Sequence, residues 1–159
     1  MRRFSRRAVA ALAGVVLTVA GAGCGGDGSS DGNTRYINAV NAAQNDFAQR
    51  FTRLSTRITA TSTPRQDRRT LGQFQLAVEG VVRRLRAVRP PARVETLHRR
   101  LIAEIGGYSS QIGAARRAFA SRDPQRVLAA QGRLVGAVNE TGARVNRTID
   151  QINTRLRAG

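Results

Sequence analysis

From Asn33 to the C-terminus, apolar residues recur at three- and four-residue intervals over four separate stretches. This spacing constrains the fold more than any other feature. The first stretch reads Ile37, Val40, Gln44, Phe47, Phe51, Leu54, Ile58, and the second Leu71, Phe74, Val78, Val81, Leu85, Val88. The third reads Val94, Leu97, Leu101, Ile105, Tyr108, Ile112, Ala115, Phe119, with one extra residue of phase between Leu101 and Ile105. The fourth reads Leu128, Gln131, Val135, Val138, Gly142, Val145, Ile149, Ile152, Leu156. A helix brings such positions onto one face, whereas a half-buried strand needs alternation at every second residue, which none of the stretches has. The expectation is an all-α domain.

The breaks between the stretches carry helix-boundary chemistry. Thr63-Pro64 and Asp123-Pro124 each place a capping side chain before a proline suited to the first helical position. Arg89-Pro90-Pro91 ends the second stretch, because proline restricts its predecessor and cannot continue a helix. Helices of about 25 to 30 residues, each roughly 40 Å long, joined by short turns must run antiparallel. An up-down-up-down four-helix bundle over residues 33–159 follows, with the periodic residues facing inward. Gly106-Gly107 coincides with the phase slip, so a local bend is expected there. Gly132 and Gly136 form a small-xxx-small pair, read here as simple tolerance of glycine rather than close helix approach. Gln44 and Gln131 interrupt apolar seams and are read as register-setting polar residues.

The side chains offer no catalytic set. The single cysteine excludes an internal disulfide framework and a multi-thiolate metal site. Glu95-Thr96-Leu97-His98 has the Glu-x-x-His spacing of di-iron bundles, but such sites need two histidines and this chain has one. With Val94 and Leu97 in the seam, Glu95 and His98 are expected on the flank, Glu95 pairing with Arg99. Asp46 with Arg50, Glu79 with Arg83 and Glu140 with Arg144 have the same spacing and read as surface ion pairs, not as a general acid and base. Ser109-Ser110 reads as a polar step after the glycines. No catalytic residue, metal or cofactor is expected.

Charge is the remaining feature. All 27 basic residues are arginine, against 10 acidic residues, a net +17. Setting aside residues 1–23 removes four arginines and leaves a net +13. A GC-rich genome raises arginine content on its own, so the total proves little; placement matters more. Arg83, Arg84, Arg86, Arg89, Arg93, Arg99 and Arg100 surround the Pro90-Pro91 turn and should make one end of the bundle strongly positive. Anionic lipid headgroups or anionic wall polymers are attracted to such a surface. Further runs lie at Arg65, Arg68, Arg69 and at Arg116, Arg117. Nucleic acid is the other polyanion suggested by arginine content, but there is no Trp, only five Phe and two Tyr, and no recognition motif. A small-ligand-binding bundle would have to rely on Gln44, Gln131 and Tyr108.

The N-terminus reads as a targeting segment. Residues 1–7 are basic, Ala8 to Val19 are apolar, and Ala20-Gly21-Ala22-Gly23 precede Cys24. The apolar part is shorter than the roughly 20 residues a spanning helix requires. Ala22-Gly23-Cys24 resembles the lipobox of bacterial lipoprotein signal peptides, with Gly21 standing where that family usually has an aliphatic residue. The resemblance implies a signal peptide over residues 1–23, a diacylglycerol on Cys24 and a flexible tether over 24–32, composed largely of Gly, Ser and Asp. Ser5-Arg6-Arg7-Ala8-Val9 resembles a twin-arginine export signal in part, and an arginine-rich leader for general secretion fits equally. Leu85-Arg86-Ala87-Val88-Arg89-Pro90-Pro91 followed by Leu97-His98 resembles a pattern of small helical secreted proteins of high-GC Gram-positive bacteria. Those resemblances imply a lipoprotein at the outer face of the cell membrane, and with no catalytic set among the side chains the expectation is a non-enzymatic one. Its partners would be the membrane, through the lipid, and an envelope protein or anionic polymer; nucleic acid is not expected.

Overall fold

A computed structural model describes residues 29–57, 62–121 and 123–158. They form four α-helices, α1 (Ser29–Ser55), α2 (Pro64–Ala87), α3 (Glu95–Ala118) and α4 (Pro124–Arg157), with a 3-10 turn over Ala92–Val94 leading into α3. Consecutive helices pack against one another, and the chain runs up-down-up-down. One end of the bundle, the proximal pole, gathers the start of α1, the end of α2, the start of α3 and the end of α4. The opposite end is the distal pole.

The boundaries follow the local chemistry expected of them. Thr63 caps α2 in a complete capping box: its hydroxyl accepts from the Gln66 amide at 3.3 Å, and the Gln66 side chain accepts from the Thr63 amide at 2.8 Å. Asp123 caps α4 by accepting from the Gln125 amide at 2.9 Å. The proline that follows each cap has no N–H to leave unsatisfied. The helix α1 begins at Ser29, so Ser29 to Gly32 belong to the helix and not to the tether, and the bundle starts four residues before the expected Asn33.

The core has two parts. Around the proximal pole, Ile37, Val40, Val81, Leu85, Leu101, Val145, Ile149 and Ile152 form an aliphatic cluster drawn from all four helices. Toward the distal pole the cluster is aromatic, with Phe51, Phe74, Tyr108 and Phe119 against Leu71 and Ile112. The Phe51 and Phe74 rings lie 5.2 Å apart in a tilted arrangement, a favoured geometry for aromatic pairs. Phe47 and Ile105 touch both clusters and join them into one core.

Two expectations of register need correction. In the first half of α4 Ala130 is buried and the half-buried Val127, Leu134 and Val138 pack against the core, while Leu128 is 63 % exposed; Gln131 and Val135 are half-buried but do not join that cluster. Apolar residues stand side by side at 127–128 and 134–135, so two lines one residue apart both satisfy helical spacing. Packing takes Val127, Ala130 and Leu134 in place of the expected Leu128, Gln131 and Val135, and the two lines meet again at Val138. In α3, His98 is buried at 3 % exposure, not on the flank. With His98 in place of Leu97, the line Val94, His98, Leu101, Ile105, Tyr108, Ile112 alternates four and three without interruption, and the apparent phase slip vanishes. The helix α3 runs unbroken through Gly106-Gly107. A Cβ added at Gly106, Gly107, Gly132 or Gly136 would meet nothing within 4 Å, so none of them serves a close helix approach.

Candidate anionic-surface interface

The arginines around the Pro90-Pro91 turn reach the proximal pole by three separate routes. Arg83, Arg84 and Arg86 lie in the last turns of α2, where cations also complement the negative end of the helix dipole. Arg89 and Arg93 flank the two prolines. Arg99 and Arg100 follow in α3, near a helix N-terminus, where the dipole gives positive charge no benefit. All but the half-buried Arg93 are exposed. Arg93 is the closest to the α3 N-terminus and is the one the dipole disfavours most.

The seven are not equivalent. Arg84 reaches back toward the middle of the bundle and donates to the Asp46 carboxylate at 2.6 Å, beside Arg50 at 2.8 Å. The two guanidinium hydrogen bonds hold the Asp46 carboxyl below the usual carboxylate range. Arg99 pairs with Glu95 at 3.6 Å, as its spacing predicts. Arg100 donates to the Gln151 amide oxygen at 3.3 Å and thereby ties α3 to α4. Arg83 does not pair with Glu79, which instead accepts from Gln75 at 3.0 Å and from Ser109 of α3 at 3.1 Å. Glu79 is thus an interhelical acceptor, and Arg83 keeps its charge for solvent. The expected pair of Glu140 with Arg144 forms at 3.7 Å.

Sequence distance hides further members of this pole. The Arg100–Gln151 bond and the Thr148 hydroxyl donating to Glu104 at 3.0 Å set the register of α3 against α4. That register brings Arg155 and Arg157, in the last turn of α4, alongside the start of α3. Leu97, Arg100, Asp150, Gln151, Thr154 and Arg155 line an open groove there. Arg155 and Arg157 lie more than fifty residues from the Pro90-Pro91 turn in sequence, so only the antiparallel closure of α4 identifies them.

Beneath the pole, His98 is clamped between two helices. Its Nε2 lies 3.0 Å from the Leu85 carbonyl oxygen in the last turn of α2, and its Nδ1 lies 3.2 Å from the Tyr36 hydroxyl of α1. A carbonyl only accepts, so Nε2 carries the proton, Nδ1 is the acceptor and the Tyr36 O–H donates. Burial lowers the His98 pKa, and the Leu85 carbonyl opposes that shift in part. Burial pushes the Tyr36 hydroxyl up to about 12, which keeps its proton in place. Tyr36, at 1 % exposure, was absent from the expected seam, which began at Ile37.

The other candidates do not converge. Glu95 is exposed while His98 points inward to Tyr36 and Leu85, so the Glu-x-x-His pair is split between surface and core. Among the described residues no group of three or more His, Cys, Asp or Glu is placed to hold a metal ion. Tyr108 is buried in the aromatic cluster, where burial raises its hydroxyl pKa to about 12; Gln44 and Gln131 are each half-buried. Among the described residues no helix is long and apolar enough to cross a membrane. Cys24, with the whole signal-like segment, lies outside the described residues. No family model, no curated protein and no solved structure matches this chain.

Proposed function

We propose that this chain is a lipid-anchored, non-enzymatic module of the cell envelope, whose proximal pole rests on the anionic headgroups of the membrane that holds its lipid. The observation that carries this reading is a coincidence of position. Cys24 stands five residues before Ser29, and a trans chain spans at most about 3.3–3.6 Å per residue. A lipid on Cys24 therefore holds the start of α1 within roughly 18 Å of the membrane surface. The start of α1 belongs to the same pole as Arg86, Arg89, Arg93, Arg155 and Arg157. The tether thus delivers a basic surface to anionic lipid, where each arginine contributes about 1 kcal/mol of attraction.

The experiment is to fractionate cells producing the chain or its Cys24→Ala variant and to determine the mass and N-terminus of each product. A diacylated chain beginning at Cys24 in the membrane fraction, with a variant that loses both lipid and membrane association, supports the reading. A full-length chain beginning at Met1 in the soluble fraction overturns it.

A further inference from the structure

The distal pole is basic as well, and between the two basic ends lies a waist where acids and arginines are matched, Asp46 with Arg50 and Arg84 and Glu140 with Arg144. Asp46, Glu79, Glu104 and Glu140 lie near the middle of α1, α2, α3 and α4 respectively. Cross-helix hydrogen bonds hold three of them within about a turn and a half of one another along the bundle: Glu79 accepts from Ser109, Glu104 accepts from Thr148, and Asp46 accepts from Arg84. Beyond this waist, exposed arginines converge on the distal end from three helices and the turn after α1. Arg57 follows α1, Arg65, Arg68 and Arg69 open α2, Arg117 ends α3 and Arg126 opens α4. The described acids at that end are Asp67, which accepts from Ser62 at 2.6 Å, and Asp123, which caps α4 and lies 3.5 Å from Arg126.

Arg117, in the last turn of α3, complements the helix dipole, but helix stability does not call for the arginines that open α2 and α4. Arg65 and Arg126 sit in the first turns of α2 and α4, next to the positive ends of their helix dipoles, where acids stabilise and bases do not. The length of α2, 24 residues, puts about 36 Å between the poles. That is several times the roughly 8 Å screening length at physiological salt, so each pole attracts anions independently of the other.

We infer that the distal pole is a second anion-binding surface that takes a phosphate-bearing polymer, and that the bundle bridges such a polymer to the membrane. This rests on the lipid-anchored reading above: with lipid at the proximal pole, the distal arginines face away from the bilayer, where the available polyanions are polymers. Guanidinium groups suit repeating phosphates because each presents paired donors to the phosphate oxygens.

The test is a flotation assay with the full chain, vesicles of mixed phosphatidylglycerol and phosphatidylcholine, and fluorescent long-chain inorganic polyphosphate. The wild-type chain should float with the vesicles and carry polyphosphate with it. A variant with Arg65→Gln, Arg68→Gln and Arg69→Gln, its helix content checked by circular dichroism, should float equally well and carry at least about tenfold less polyphosphate. Equal polyphosphate on variant and wild type overturns the inference, as does a wild-type chain that floats without polyphosphate. If the wild type fails to float, the membrane reading and the bridge both fall. Polyphosphate titration in solution, with or without the same tenfold loss in the variant, then decides the distal surface separately.

Discussion

The Tyr36 hydroxyl and the His98 Nδ1 meet at 3.2 Å across the core, joining residues 62 positions apart in the sequence. Together with the Leu85 carbonyl they lock three helices directly beneath the proximal pole. Replacing Tyr36 by Phe keeps the ring and leaves Nδ1 buried without a donor. A buried polar atom left unsatisfied costs about 1–3 kcal/mol, so Tyr36→Phe should lower the unfolding free energy by that amount in urea titration. An unchanged midpoint would mean that water replaces the hydroxyl.

The same pair makes stability depend on pH. In the folded chain His98 holds its proton less tightly than the ordinary value of 6.5, because burial disfavours the imidazolium. Between the two pKa values the unfolded chain binds more protons than the folded one. Stability is therefore full above about pH 6.5 and declines as pH falls toward the folded-state value. Urea midpoints measured at half-unit steps from pH 8 to pH 5 should show this decline, and His98→Leu should flatten it. A His98→Leu variant with the wild-type profile would assign the decline to other groups.

The register of α4 is open to a direct test. Leu128→Asp, at an exposed position, should change stability by no more than about 0.5 kcal/mol. Ile149→Ala, at a site 1 % exposed, should cost about 2–5 kcal/mol. Comparable losses at both positions would place Leu128 back in the seam.

The capping box of α2 should be worth about 1 kcal/mol. Thr63→Ala removes the side-chain acceptor for the Gln66 amide, and a drop in thermal midpoint with unchanged helix content would measure it. A variant as stable as the wild type would mean that water satisfies that amide equally well.

Among the seven arginines around the Pro90-Pro91 turn, Arg84 and Arg89 should behave differently. Arg84 spends its charge on Asp46, whereas Arg89 is exposed at the turn itself. Binding of the chain to anionic vesicles at low salt should fall severalfold for Arg89→Gln, in line with about 1 kcal/mol per arginine near the membrane. It should fall less for Arg84→Gln. Equal effects, or binding indifferent to salt, would remove the electrostatic account of this pole.

Much of this molecule is determined locally and is therefore legible in one dimension. The four helices follow from three- and four-residue spacing, and two of their starts from Thr63-Pro64 and Asp123-Pro124, because a helix and its cap are built from neighbours in the chain. The i to i+4 pairs of Asp46 with Arg50, Glu95 with Arg99 and Glu140 with Arg144 belong to the same class. Most arginines of the proximal pole were also legible, since they lie around a single turn.

What tertiary structure alone decided is which of several locally equivalent choices is buried and which distant residues meet. Val127 and Leu128 satisfy helical spacing equally well, and only the neighbouring helices select Val127. His98 and Leu97 offered the same choice. Packing took the histidine because Tyr36 and Leu85 supply a donor and an acceptor for its two ring nitrogens, which offsets the cost of burying them. Glu79 abandoned its neighbour Arg83 for Ser109 once α3 came alongside. Arg155 and Arg157 joined the proximal pole, and the acids gathered at the waist, through the antiparallel register of the helices. Such choices depend on surfaces that do not exist until the helices meet.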